Sequence, residues 1–515
     1  MRSGFLALVL FTSSAGGLIV EIVAGRLIAP YVGMSLYTWT AIIAVVLAGL
    51  SVGHWIGGRL ASATVDRPLG LRRLAISLAL ASVTTLLALV ALSDLSLALV
   101  SSGLGQVTVV IVLTTTLFLL PSLFVGIVAP IVTKLAVDSD PGRVGAVLGQ
   151  MFAVGTFGSI AGTLLAGFVF ISWIGSSGTL IAVAGVYALL AAVCALLSGQ
   201  RGGAVIVVAL VASTGVLATV GGVRGAFAAR CTVESDYFCI QIDDFAPVVG
   251  RPSALMALDN LVHSINDRDD PSLLFSPYIH FVDEYARRRF PLDRPDTRFH
   301  AFFIGGGGYT LPRSWAATVD GARMTVAEID PAVTRAAADH MWLTADDPKI
   351  EIVHRDARAL LQSLPPEPAF DVIFGDAFHD ISIPSHLVSL EFHAEVARRL
   401  KPDGFYVVNA VDRRVAPRFV AALANTLALD FPVVEIWDEV TPGDAGEDLR
   451  RTYLIVAAFR PADDRTMPSA FGLRRTWRQI PREDIGETEI VLTDDFAPIE
   501  RLLSSVLFSE IPGRN

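Results

Sequence analysis

Long apolar stretches separated by short polar breaks fill the first 225 residues, and the pattern then stops. Apolar runs lie near 4–28, 38–59, 73–92, 107–128, 147–171, 178–198 and 203–221. A bilayer core of ~30 Å is crossed by about 20 apolar helical residues. The pattern therefore predicts a helical membrane domain over 1–225 with about seven spans. The first run is too long and too poorly flanked for a cleaved signal peptide. Ala24 and Gly25 within it suit close helix–helix approach. Glu21 and Arg26 lie within or at the end of the same run. Charge at membrane depth is costly, so both are expected to face protein or water. An interhelical ion pair or an interface anchor is favoured there over a transport or ligand site.

Past residue 230 the period changes. Apolar and polar residues alternate from 232 to 262, and 237–242 and 254–259 read as strands of a small antiparallel sheet within 232–290. Short apolar runs then alternate with helical patterns. Strands are predicted at 301–304, 324–330, 349–356, 370–376 and 404–409, each ending in Gly, Asp, Glu or Asn. This predicts an α/β Rossmann-like domain over 298–460, with ligand at the carboxyl ends of its strands. Residues 461–515 form a C-terminal extension.

Composition agrees with this division. The chain of 515 residues is 53% hydrophobic and 17% charged, below the ~25% charged typical of soluble domains. Of its 40 basic and 50 acidic residues, 11 and 5 lie up to Arg230, so the second part is acidic. Neither part has a basic stripe interleaved with aromatics, which argues against nucleic acid. No CxxC or HExxH occurs, so no metal is expected.

Orientation follows from basic residues in short loops. With seven spans, Arg2, Arg59, Arg67, Arg72, Arg73, Lys134, Arg143 and Arg201 share one side, expected to be cytoplasmic. The protein is then a multi-pass protein of the cell membrane, in contact with lipid, with its C-terminal domain outside the cytoplasm. Six or eight spans would reverse that. Cys194 reads as a small buried or lipid-facing hydrophobe. Cys231 and Cys239 flank one short segment and are either a disulfide, which would favour an oxidising compartment, or two separate thiols.

Several ordered motifs carry a resemblance. They are the segment 234–240 (Glu-Ser-Asp-Tyr-Phe-Cys-Ile), Leu258-Asp259 followed by His263-Ser264, and Tyr278-Ile279-His280. Gly305 to Gly308, the segment 327–331 (Ala-Glu-Ile-Asp-Pro), Asp356-Ala357 and Asp376-Ala377-Phe378 follow. Over roughly 232 to 460 the chain resembles the polyamine aminopropyltransferases, spermidine synthase among them. With its helices it resembles the membrane-fused spermidine synthase proteins. The resemblance implies a methyltransferase/spermidine-synthase-like fold and a transferase of polyamine biosynthesis. Its co-substrate would be decarboxylated S-adenosylmethionine and its acceptor a diamine such as putrescine. Homodimers are common in the family.

The resemblance also assigns roles. Gly305, Gly306 and Gly307 form the nucleoside loop. Glu328 would bind the ribose hydroxyls, and Asp356 with Ala357 the adenine. Asp376 would orient and deprotonate the attacking amine. Tyr237, Tyr278 and Asn409 would line the acceptor pocket. The loop acid of the family is replaced by Gly308, and Phe238 and Ile279 replace polar amides. His263 and Asn409 stand where glutamines are usual. His379, with Asp380 beside it, stands where a second aspartate is usual. The nucleoside half of the pocket is thus complete, whereas the cation-holding half is depleted. His263, His379 and Asp380 are candidates to share acid–base work with Asp376; His280 and His386 also lie near motifs. Two alternatives follow. One is an extracytoplasmic enzyme of the same fold, acting on a cell-envelope substrate by changed chemistry. The other is a polyamine transporter or sensor, for which Glu21 speaks. A methyltransferase is a lesser alternative. The glycines and arginines of 53–73 loosely resemble a loop of major-facilitator transporters, which carry more spans than this chain.

Overall fold

The computed structural model describes residues 3–64, 66–228, 230–378, 382–440 and 450–507. Two compact units meet in sequence at Arg230 and Cys231.

The first unit is helical. It comprises α1 (Ser3–Val32), α2 (Leu36–Ser62), α3 (Arg67–Val100), α4 (Gln106–Ser139), α5 (Val144–Leu165), α6 (Ile171–Ser198) and α7 (Arg201–Val223). Six helical stretches among the described residues are long and apolar enough to cross a membrane. One of these, Pro141–Ser198, spans 58 residues and contains both α5 and α6. A straight helix of that length would reach about 87 Å, nearly three bilayer cores. Instead the chain breaks at Gly175 (φ 70°, ψ 171°). Its register against α1 shows what the break does. Gly158 and Gly162 of α5 lie against the backbone at Phe11 and Ala15. Tyr187, far beyond them in α6, donates its hydroxyl to the Ser13 carbonyl at that same level. The chain has therefore folded back, and α5 and α6 are two opposed arms.

Small residues set the packing. A Cβ on Gly49, Gly53 or Gly57 would collide with the α4 backbone at Leu119, Leu123 and Ile127, so α2 and α4 approach as closely as glycine permits. This contact explains Gly53 and Gly57 of the second run, whereas Gly58 beside them faces open space. Ala24 and Gly25 are buried, while Glu21 and Arg26 are half-buried on the same helix. Cys194 is buried inside the unit.

The second unit begins with a four-stranded antiparallel sheet, β1 (Val233–Glu234), β2 (Cys239–Asp244), β3 (Ser253–Leu258) and β4 (Leu261–Asp267), in that order. A one-turn helix α8 (Ala246–Val249) joins β2 to β3. Cys231 and Cys239 are joined by a disulfide, which resolves the alternative left open by the sequence. Helix α9 (Pro277–Arg289) leads into the main sheet.

That sheet alternates β5 (Phe299–Ile304), α10 (Thr310–Thr318), β6 (Ala322–Ala327), α11 (Pro331–His340), β7 (Ile350–Val353), α12 (Ala357–Ser363), β8 (Phe370–Gly375), α13 (Leu390–Arg399), β9 (Leu400–Arg413) and α14 (Arg418–Leu427). Four antiparallel strands complete it: β10 (Val433–Glu439), β11 (Arg450–Ala458), β12 (Thr466–Pro468) and β13 (Thr476–Ile480). The order is β12-β13-β10-β11-β9-β8-β5-β6-β7, and the five strands from β9 to β7 are parallel. Parallel strands are covered on both faces, which is why they read as unbroken apolar runs. The region beyond residue 460 is not an appendage. It supplies β12 and β13, with Trp477 wholly buried. Those strands are short and follow a break in apolar content, so their period is weak in the sequence.

Candidate active site

Strand order reverses between β5 and β8, where loops diverge to opposite faces and leave a crevice. The Asp376 amide bonds the Ile304 carbonyl at 3.0 Å, so the glycine loop and the Asp376 loop start side by side. Gly305 sits at φ 95°, and a Cβ there would lie 2.8 Å from the Asp376 carbonyl oxygen. Only glycine satisfies both conditions.

The first sheet holds the loop from the other side. Ser264 and Asn266 of β4 grip it: the Gly308 amide donates to Ser264 Oγ (2.8 Å), and Asn266 Nδ2 donates to the Gly308 carbonyl (2.8 Å). A Cβ on Gly308 would meet the Ser264 Cβ at 2.6 Å. The family's acid is therefore not merely missing here, because Ser264 fills the space its side chain would need.

A cleft of about 160 Å³ opens along these loops. Gly305, Gly307, Glu328, Asp356, Ala357, Asp376, His263 and Tyr237 line it, so the structure gathers most of the residues singled out from sequence. Glu328, at the end of β6, is buried. Its carboxylate accepts the Gly306 amide (2.8 Å) and the Asp330 amide (2.9 Å). Burial raises its pKa, and the amides oppose that rise. Asp356 caps α12 by accepting the Ala359 amide at 2.9 Å. Its other oxygen lies 2.8 Å from His386 Nε2. Burial alone would raise Asp356, but the Ala359 amide and the imidazole outweigh it and hold the carboxyl below the usual range.

Asp376 differs. Asn409 Nδ2 donates to it at 2.8 Å, and the Tyr278 phenol lies close to it. Removal from water dominates and pushes the acid up to about 7. Tyr278 donates its hydroxyl proton to the His263 carbonyl (2.7 Å). Its phenol is raised well above the ordinary value by burial and by Asp376. Asn409, expected as an acceptor-pocket residue, is buried in β9 with its amide turned to the acid. It positions Asp376.

His263 lines the cleft against Phe378, ring centroids 6.4 Å apart. Burial pushes it down to about 4, so it is neutral and a weak base near neutral pH. His280 lies elsewhere: its Nε2 meets the Phe471 carbonyl (3.0 Å) and its ring packs on Trp477. His379 and Asp380 lie outside the described residues.

Sequence reasoning missed how the far end of the cleft is held. His386 follows Pro384 on a short turn that lines the cleft with Leu387. Arg358 fixes this turn by donating to the His386 carbonyl (3.1 Å) and, through both terminal nitrogens, to Asp494 (2.6 Å each). Ser389 Oγ also reaches Asp494 (2.6 Å). The Arg358 guanidinium holds Asp494 down to about 2. No sequence signal links residue 494 to residue 358, because the contact exists only after the sheet has formed.

No protein-family model matches the chain. The chain is similar to the probable polyamine aminopropyl transferase of Bifidobacterium longum, 26% identical over 228 residues, covering 40% of this chain and 49% of that protein. It is also similar to the polyamine aminopropyltransferase of Moorella thermoacetica, 27% identical over 155 residues, covering 30% and 54%. The chain thus spans about half the length of these curated relatives. Among solved structures, a probable spermidine synthase from Corynebacterium glutamicum superposes with a TM-score of 0.43 at 20% identity, over 52% of this chain and 97% of that one.

Proposed function

We propose that the soluble unit is a membrane-anchored transferase that moves an aminopropyl group from decarboxylated S-adenosylmethionine to an amine such as putrescine. One observation carries this reading: a carboxyl lifted to about 7, at the switch point of the sheet, in the same cleft as a glycine loop and a buried glutamate. The similarity to aminopropyltransferases supports the general reaction.

In this reading Glu328 accepts the ribose hydroxyls on the lone pairs its two amides leave free. The base lies toward Asp356. The sulfonium then sits near Asp376. The acceptor nitrogen attacks the methylene carbon next to sulfur, the C–S bond breaks, and the thioether nucleoside leaves. The new ammonium gives its proton to Asp376, whose pKa is matched to that task near neutral pH. Asn409 holds the carboxylate in line. His263 remains neutral and shapes the wall. The test is transfer by the full-length protein from decarboxylated S-adenosylmethionine to putrescine, read as methylthioadenosine release. Release dependent on both substrates is expected; release without transfer would overturn the reading.

The Cys231–Cys239 disulfide favours a second reading. Disulfides persist in oxidising compartments. With α5 and α6 as separate arms, the bundle crosses an odd number of times. The basic loops then favour a soluble unit outside the cytoplasm. There it would act by Asp376 on a cell-envelope substrate. One-sided reporters fused after residue 515, with thiol trapping in unreduced cells, separate the two readings. A cytoplasmic terminus with free thiols removes the second. An external terminus with a bridge removes the cytoplasmic nucleoside supply that the first requires.

A further inference from the structure

One wall of the cleft carries a covalent bond that the proposed chemistry does not use. Tyr237 and Phe238 line the cleft together with His263 and Asp376. Both lie on the turn between β1 and β2, and the disulfide joins Cys231, before β1, to Cys239, the first residue of β2. Its two ends differ. Cys239 is buried; its amide donates to Asp259 Oδ1 (3.0 Å) and its carbonyl accepts the Asp259 amide (2.9 Å). Cys231 is half-buried at the edge of the sheet, where β1 has two residues, paired at Val233–Ile240 and Glu234–Cys239. Within the turn, Ser235 Oγ accepts the Tyr237 (3.1 Å) and Phe238 (2.9 Å) amides and donates to Asp330. The chain has three cysteines and Cys194 is a free thiol, so every other tie across this turn is non-covalent. Hydrogen bonds exchange with water for little net gain, whereas a cross-link removes open conformations from the ensemble.

We propose that the Cys231–Cys239 disulfide is a redox-sensitive clasp on the cleft. Closed, it holds Tyr237 and Phe238 in place for a ligand; a dithiol reductant opens it and weakens binding. This rests on the reading of the cleft as a nucleoside site. Attack falls on Cys231 Sγ, the more accessible sulfur, because Cys239 is only 2% exposed. A thiolate of the reductant bonds to Cys231 Sγ, the S–S bond breaks, and its electron pair leaves on Cys239 Sγ, which takes a proton. The second thiolate of the reductant then bonds to its own first sulfur. Cys231 Sγ leaves with the pair and takes a proton. The two cysteines gain two electrons and two protons, and the reductant ends as a disulfide. The released edge samples more conformations, and ordering it again around a ligand costs affinity.

The experiment compares the full-length protein before and after reduction with dithiothreitol. Calorimetry reads 5′-methylthioadenosine affinity, and hydrogen exchange reads the mobility of residues 232–238. Reduction should weaken binding about 5- to 50-fold, the range for ordering two side chains anew. It should also speed exchange in 232–238, and reoxidation should restore both. The double variant Cys231→Ala/Cys239→Ala should bind like the reduced protein and ignore the reductant. Unchanged affinity in the reduced wild type, which needs no variant, would overturn the proposal even if the melting temperature fell, since the bond would then only stabilise the fold. Unchanged exchange in 232–238 would overturn it as well. Absence of binding in both redox states would instead remove the nucleoside site, and the proposed function with it; the exchange of 232–238 then decides the clasp by itself.

Discussion

The two ends of the cleft use the same side chain by opposite means. At the nucleoside end, Glu328 and Asp356 receive backbone amides from the glycine loop and from helix starts. Those donors belong to the fold. At the other end, Asp376 receives a side-chain donor, Asn409, among the described residues, and burial prevails over it. Fixed amides make a carboxylate a permanent acceptor. A removable donor in a dry setting leaves one that can exchange a proton. The difference separates holding from reacting within one row of strand ends.

The sharpest way to break this contrast is Asp376→Asn. Transfer should fall by about 10²- to 10⁴-fold, while 5′-methylthioadenosine affinity stays within about threefold, since a nearly isosteric amide keeps the packing. Loss of binding to the same degree would place Asp376 among the holding groups. Next in size is Glu328→Ala. Nucleoside affinity should drop about 10- to 100-fold, the range for losing hydrogen bonds to a charged acceptor, as read by calorimetry. Unchanged affinity would take Glu328 out of the nucleoside end.

The third prediction concerns pH. Asp376 must be ionised to accept a proton, and its pKa is raised to about 7. The rate should therefore rise with pH through that value, with the protonated acid inactive below it. The Asn409 bond lowers that pKa. In Asn409→Leu the inflection should move to higher pH, with a fall in rate near neutrality of about fivefold, worth ~1 kcal/mol. An unmoved inflection would show that Asn409 only fills space. The smallest effect is expected for Ser264→Ala, which removes the bond to the Gly308 amide. Donor affinity should fall about two- to fivefold for ~0.5–1 kcal/mol, with the pH inflection unchanged. A shift there would join the loop to the reacting end.

Much of this arrangement was legible in the sequence where local pattern and local chemistry coincide. The apolar runs give the helices, because a membrane-length apolar stretch has few other uses. Strand ends bearing Glu328, Asp356 and Asp376 give one side of the cleft, because a parallel sheet gathers those ends. What could not be read depends on contacts distant in sequence. The runs 147–171 and 178–198 already mark a break around Gly175, but the pairing of Tyr187 with Ser13 of α1 does not show in the sequence. Ser264 fills the loop-acid space only because β4 packs beside Gly308. His386 was visible as a histidine near a motif, but its pairing with Asp356 required the fold. The bond from Asn409 to Asp376 was not legible, because a strand-end amide can face ligand or acid and only packing decides.

The clamp at Asp494 carries a consequence for synthesis. The ribosome makes the chain from the amino end, and domains fold as they emerge. The parallel strands and the glycine loop are complete long before residue 494 leaves the tunnel. Until then Arg358 lacks its two-point partner, and the turn bearing His386 lacks the Asp494 side of its clamp. The cleft therefore stays unfinished through most of translation. Completion of the cleft arrives as one of the last events in the making of the molecule, after the apolar helices have been delivered to the insertion machinery.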